Sequence, residues 1–211
     1  METKVRAQKI IEILAKGYPR ASTALHFKNP LEMLVATVLS AQSTDKIINQ
    51  VTENLFRKYR KPEDYANADL RKLEGEIKSA GFYRNKAKYL KGIGEKLIDE
   101  FGSEVPKTMD ELVQLPGVAR KTANVVLWNA FRVVEGIAID THVRRLSQRL
   151  GLSENKDPNK IEKDLMVIIP KDKWPHITNL LISHGRRICT AKKPRCQECI
   201  LCKLCPSAAT F

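Results

Sequence analysis

Cysteine is absent from the first 188 residues, and all five cysteines crowd into CTAKKPRCQECILCKLCP at 189–206. Disulfide frameworks usually spread their cysteines along a fold, so this crowding points away from disulfides and toward a metal site. No run of eighteen apolar residues occurs, which argues against a spanning helix. The opening METKVRAQKIIEIL lacks both the continuous apolar core and the cleavage site of a secretory signal. A soluble, intracellular protein without a membrane partner is the expectation. Alternating strand patterns do not persist beyond a few residues, nothing is low-complexity, and no linker is long enough to separate domains cleanly, so the class reads as all-α. Acidic residues are also in deficit. Lys and Arg number 37 against 24 Asp and Glu, a formal charge of +13, and an excess of that size suggests a polyanion partner, nucleic acid being the commonest inside cells.

What the chain has is helical periodicity. At 211 residues it can bury roughly 70% of its unfolded surface. Val5, Ile10, Ile13 and Leu14 share a face in 5–15, and the apolar LEMLVATVLSAQ begins just after Pro30. TDKIINQVTENLFRKY repeats the pattern, with Thr44 or Asp45 as its cap. Further helices are expected at 69–79, 84–100, 108–114, 121–131, 140–150, 157–168 and 173–184, with breaks at Pro62, Gly81, Gly102 with Pro106, Pro116 with Gly117, Gly136, Gly151 and Pro170.

In LPGVARKTANVVL, 115–127, a short helix ends at a Pro-Gly turn and an apolar helix begins. Gly117 can take positive φ, and the new helix offers backbone N–H groups at the positive end of its dipole, an arrangement that binds phosphate without reading sequence. An ordinary αα-turn fits the same residues. KGIGEKL, 91–97, shares the Gly-x-Gly texture without the Leu-Pro entry and reads as helix interior or a loose turn. Lys121 follows Arg120 at the start of the hairpin's second helix, in a positive field that favours the neutral amine able to attack carbon. Nineteen residues on, Asp140 in IAIDTHVRRL offers a carboxylate that could take up its proton or stabilise a sugar cation, although a lysine and an aspartate picked by type alone are far more often surface charges.

The cysteine spacing allows two ligand sets. One is Cys189, Cys196, Cys199 and Cys205; the other runs from Cys196 through Cys199 and Cys202 to Cys205. Zinc fingers pair two short knuckles across a longer gap, which neither set does, whereas four crowded thiolates and a closing Cys-Pro suit a cubane iron–sulfur cluster. Lys192, Lys193 and Arg195 lie between the first two cysteines, either as a solvated basic loop or as charge held toward a phosphate backbone.

Taken together and in order, LEMLVATVLSAQSTD, GFYRNKA, LPGVARKTANVVL, IAIDTHVRRL, HGRRIC and the cysteine run resemble the endonuclease III family of helix-hairpin-helix glycosylases over nearly the whole chain. The resemblance implies a two-lobed all-α fold with a DNA cleft between lobes: residues 22–133 form a six-helix bundle, and 1–21 with 134–211 form a second lobe carrying one 4Fe-4S cluster in the 189–205 loop. It implies a bifunctional DNA glycosylase and abasic-site lyase of base excision repair, a monomer working in the cytoplasm or nucleoid. Its substrate would be duplex DNA bearing oxidised or ring-saturated pyrimidines or abasic sites. Lys121 matches the family's nucleophile and Asp140 its essential carboxylate. The ligand set becomes Cys189, Cys196, Cys199 and Cys205, with Cys202 spare. Gln42 and Phe82 match the positions that fill and wedge the duplex, where Phe82 replaces an expected leucine; by its own sequence context Phe82 would be core and Gln42 an ordinary helix residue. Gly117, Ala119 and Arg120 fall in the DNA-binding hairpin, and Ala119 stands where a second glycine is usual, implying slightly altered geometry. His142 and His184 are expected to pack or cap, and Asp45 to cap its helix. Rival readings are a monofunctional or mismatch glycosylase of the same fold, a non-catalytic DNA-binding module, and an electron-transfer protein.

Overall fold

Side-chain caps set most helix starts. The computed structural model describes residues 2–210, and among these every regular element is helical. In chain order the helices are α1 (Thr3–Gly17), α2 (Pro30–Ser40), α3 (Asp45–Lys58), α4 (Pro62–Ala66), α5 (Leu70–Glu76), α6 (Tyr83–Phe101), α7 (Met109–Leu112), α8 (Arg120–Val126), α9 (Thr141–Arg149), α10 (Pro158–Ile168) and α11 (Trp174–Arg187). The Asn29 side chain accepts from the Glu32 N–H at 2.9 Å, with Pro30 fixing φ in the first turn of α2. Thr44, Asp69, Thr108, Asp140 and Asp157 cap α3, α5, α7, α9 and α10 in the same manner. Thr44 is therefore the cap of its helix. Asp45 is the first residue inside, placed where a carboxylate favours the helix dipole rather than where it caps.

Two compact units result, one continuous (Ala24–Glu135) and one assembled from Met1–Thr23 and Gly136–Phe211. The first centres on Met33, Leu34, Leu39, Ile48, Leu73, Ile93 and Leu97, drawn from α2, α3, α5 and α6. The second centres on Ile10 and Leu14 of α1, Leu146 of α9, Ile161 and Leu165 of α10, and Ile177 and Leu181 of α11.

Two local readings change, and a third is narrowed to one of its alternatives. Pro62, read as a break, opens the short helix α4, whose entry is fastened by the Arg60 and Lys61 N–H groups donating to Asp64 Oδ2 at 2.7 and 3.1 Å. KGIGEKL is the interior of α6, and Gly94 lets α4 come close: a Cβ there would stand 2.6 Å from the Pro62 carbonyl oxygen. The expected helix over 121–131 is α8 followed by a π-helical turn at Leu127–Phe131, ending at Arg132 with φ +60° and its guanidinium over the Trp128 ring at 5.0 Å.

Candidate active site and cysteine pocket

Between α7 and α8 the chain turns through Leu115–Ala119. The Val118 N–H donates to the Leu115 carbonyl at 3.1 Å, and Gly117 takes φ +75°. A side chain at 117 is barred twice over, because a Cβ would lie 2.5 Å from the Tyr89 ring. Ala119, at φ −90° and ψ 168°, is extended backbone that any residue adopts, so the backbone there needs no glycine. No side chain caps α8. Lys121 is exposed in its first turn.

Asp140 belongs to the other unit, where two buried side chains fix the strand-like approach to it. The Ile137 N–H donates to Glu162 Oε1 at 3.2 Å, and Thr178 Oγ1 donates to the Ala138 carbonyl at 3.0 Å. The half-buried Asp140 carboxylate then accepts from the Val143 N–H at 2.7 Å through Oδ1 and caps α9. Two residues on, burial pushes the His142 imidazole pKa down; Asp140 opposes that shift, and Arg145 and Arg186 add to it. An Arg145 terminal nitrogen stands 3.2 Å from His142 Nδ1 and donates to the carbonyls of Gly185 and Cys189 at 3.2 and 2.8 Å, tying α9 to the start of the cysteine run.

All five thiols border one pocket, with Leu146, Leu150, Ile188 and Pro194 supplying apolar wall. Three of the thiols are held by neighbours. Arg149 donates to Cys189 Sγ at 3.2 Å while gripping the Thr190 and Ala191 carbonyls at 2.8 and 2.9 Å. His184 Nε2 lies 3.3 Å from Cys199 Sγ, and Cys205 Sγ donates to the Arg149 carbonyl at 3.3 Å. His184 is buried and its Nδ1 is 2.9 Å from the Tyr18 hydroxyl; burial pushes the imidazole down to about 4, so it is neutral near pH 7. A neutral ring with the hydroxyl donating to Nδ1 carries its proton on Nε2, directed at the sulfur. Burial also raises the Cys199 thiol, and Cys189, Cys205 and Cys196 raise it further by their charge. Among the described residues no three His, Cys, Asp or Glu side chains converge as they would around a single ion. The donors are soft thiols beside an apolar wall, with N–H groups aimed at two of them, a set whose chemistry fits an iron–sulfur cluster.

Residues 35–171 match the HhH-GPD superfamily of base excision DNA repair proteins. The chain belongs to this superfamily. Within it, the chain is 51% identical to endonuclease III of Synechocystis sp. over 97% of its own length and 94% of the relative's. It is 50% identical to endonuclease III of Bacillus subtilis over 89% and 86%. A solved non-covalent endonuclease III–DNA complex superposes with a TM-score of 0.95 at 45% identity, covering 100% of this chain and 98% of the other. A thermostable thymine-DNA glycosylase, at 21% identity and a TM-score of 0.89, shares the fold.

Two expectations drawn from single positions of this HhH-GPD protein are corrected. Phe82 is not core: it is 64% exposed, with φ +59°. Gln42 is not in a helix: α2 stops at Ser40, and Gln42 is exposed at φ +54°. Lys192 and Lys193 are exposed in the basic loop, which Thr190 Oγ1 braces by donating to the Lys193 carbonyl at 2.7 Å. Arg195 differs from them, since its guanidinium is drawn back to Glu198 at 3.0 Å and to the Arg187 carbonyl. Residue types alone did not single out Arg149, Tyr18, Glu162 or Thr178. Their roles depend on partners far away in the chain, and no local motif carries that information.

Proposed function

We propose that this HhH-GPD protein is a bifunctional DNA glycosylase and abasic-site lyase that acts on oxidised or ring-saturated pyrimidines in duplex DNA. The observation that carries the reading is a lysine in the first turn of the helix after the hairpin, Lys121, in a chain that is half identical to endonuclease III over nearly its whole length. Lys121 Nζ attacks C1′ of a nucleotide turned out of the stack, and the C1′–N bond breaks with its electron pair leaving on the base. Asp140 offsets the positive charge developing on the sugar and takes up the lysine's proton. Ring opening gives an imine at C1′; loss of a C2′ proton then expels the 3′ phosphate by β-elimination. Gly117, Ala119 and Arg120 of the hairpin, with Lys192, Lys193 and Arg195, meet backbone phosphates, while Gln42 and Phe82 occupy the space left by the turned-out nucleotide.

One 4Fe-4S cluster is assigned to Cys189, Cys196, Cys199 and Cys205, leaving Cys202 spare. When bound, it supplies a rigid cross-link among these four positions. Arg149 and His184 orient two of the thiolates, and the brace from Thr190 to Lys193 holds the basic loop beside them.

Borohydride reduction during turnover tests the mechanism. Wild type should form a covalent protein–DNA adduct on abasic duplex, and Lys121→Ala should lose the adduct together with strand cleavage. An undiminished adduct in Lys121→Ala would overturn the assignment of the nucleophile. Base release without adduct or nicking by wild type would make the chain a monofunctional glycosylase.

A further inference from the structure

Gln42 and Phe82 are both exposed, both lie in the left-handed backbone region and neither is glycine, a combination that persists only where surrounding contacts enforce it. The two turns touch. The Gly81 N–H donates to Ser43 Oγ at 3.1 Å, and a Cβ on Gly81 would stand 3.3 Å from the Gln42 carbonyl oxygen.

Beneath them lies Lys86, 4% exposed, in the first turns of α6. Its ammonium donates to the carbonyls of Leu39 and Ala41, each at 2.7 Å, and to Ser43 Oγ at 3.2 Å, so all three protons are directed at the Gln42 turn. Its own backbone N–H donates to the Phe82 carbonyl at 3.2 Å. That bond is the first helical bond of α6, so the two turns are joined through Ser43, whose Oγ accepts from both the Gly81 N–H and the Lys86 ammonium. Burial lowers the Lys86 pKa, a cost met by oxygens at the negative end of α2. A lysine serving only as a cap for α2 would have no reason to bond Ser43, which lies beyond the helix.

We propose that Lys86 and Ser43 are positioning residues that lock the Gln42 and Phe82 turns into one preformed two-pronged wedge. The proposal rests on the reading of Gln42 and Phe82 as the residues that enter the duplex. Two tips fixed beforehand enter together, without the loss of freedom that ordering each on DNA would entail.

The test compares nicking of an abasic site in duplex DNA with nicking of the same site in a single strand, where no opposite strand leaves a hole to fill. Ser43→Ala should lower the duplex-to-single-strand rate ratio by about 10-fold, from the two hydrogen bonds its hydroxyl accepts at about 3-fold each. Ser43→Thr, which keeps the hydroxyl, should restore it. Lys86→Met should lower the ratio further if circular dichroism shows it folded; if it does not fold, the Ser43 pair decides alone. Phe82→Ala serves as the reference. A lowered ratio in Phe82→Ala with an unchanged ratio in Ser43→Ala overturns the positioning role and spares the wedge. An unchanged ratio in Phe82→Ala overturns the wedge itself, and the proposal falls with it.

Discussion

Asp140 has two jobs that substitution can separate. Its carboxylate caps α9 through the Val143 N–H, and in the proposed reaction the same carboxylate offsets charge on the sugar. Asparagine caps a helix about as well as aspartate, whereas alanine loses about 1 kcal/mol at such a position. Urea denaturation should therefore place Asp140→Asn within about 0.5 kcal/mol of wild type and Asp140→Ala about 1 kcal/mol below it. Base release should be lost from both. An Asp140→Asn protein that still released base at the wild-type rate would show that the negative charge takes no part. At this scale residue type alone does not single out Lys121 or Asp140, since a lysine and an aspartate picked by type are far more often surface charges and only the family motifs around them mark the pair, whereas the crowding of the cysteines is plain in the sequence itself. The sequence misled at Gln42 and Phe82, because a non-glycine residue at positive φ leaves no compositional trace and an aromatic beside apolar neighbours looks like core.

Helices and turns were legible in proportion to their length and caps. Long amphipathic segments such as α3 and α6 followed their apolar spacing. The five-residue α4 was lost because a proline opening a helix and a proline breaking one look alike in sequence. The hairpin joins both kinds of information: Gly117 signalled the turn, but only the Tyr89 ring against it explains why the position is closed to every side chain. Gly117→Ala should cost at least about 2 kcal/mol, from the left-handed backbone and the clash combined, and should weaken DNA binding as well. Ala119→Gly, at an ordinary extended φ, should stay within about 1 kcal/mol of wild type. Thermal melts with binding isotherms on one duplex would check both. Equal losses at the two positions would contradict the hairpin geometry.

Across the whole molecule, the division into two units was not written in composition, since no linker or shift of residue usage marks residues 23–24 or 135–136. As an expectation it rested on the family resemblance, and in the structure it follows from which helices share a core. The cysteine run belongs to the core of the discontinuous unit, where Cys189, Cys199 and Cys205 pack against its apolar residues and Leu201 is fully buried. Cys189→Ser should consequently lose the visible absorbance of an iron–sulfur protein and melt at a lower temperature, while Cys202→Ser should stay coloured and keep its melting point. Iron and sulfide content of the purified variants, measured alongside the melts, decides between the two ligand registers, and the reverse pattern would reassign Cys202 as a ligand.

The packing of α1 on α11 also sets an order of events during synthesis. The apolar face of α1 has its partner more than 150 residues downstream, so at ordinary elongation rates it stays uncovered for roughly 10 to 30 s while Ala24–Glu135 emerges with all of its own core residues. The continuous unit can fold on the ribosome, but the discontinuous one closes only when α11 arrives. The cysteine run follows α11 directly, so its thiols meet the core of their unit only at the end of that sequence.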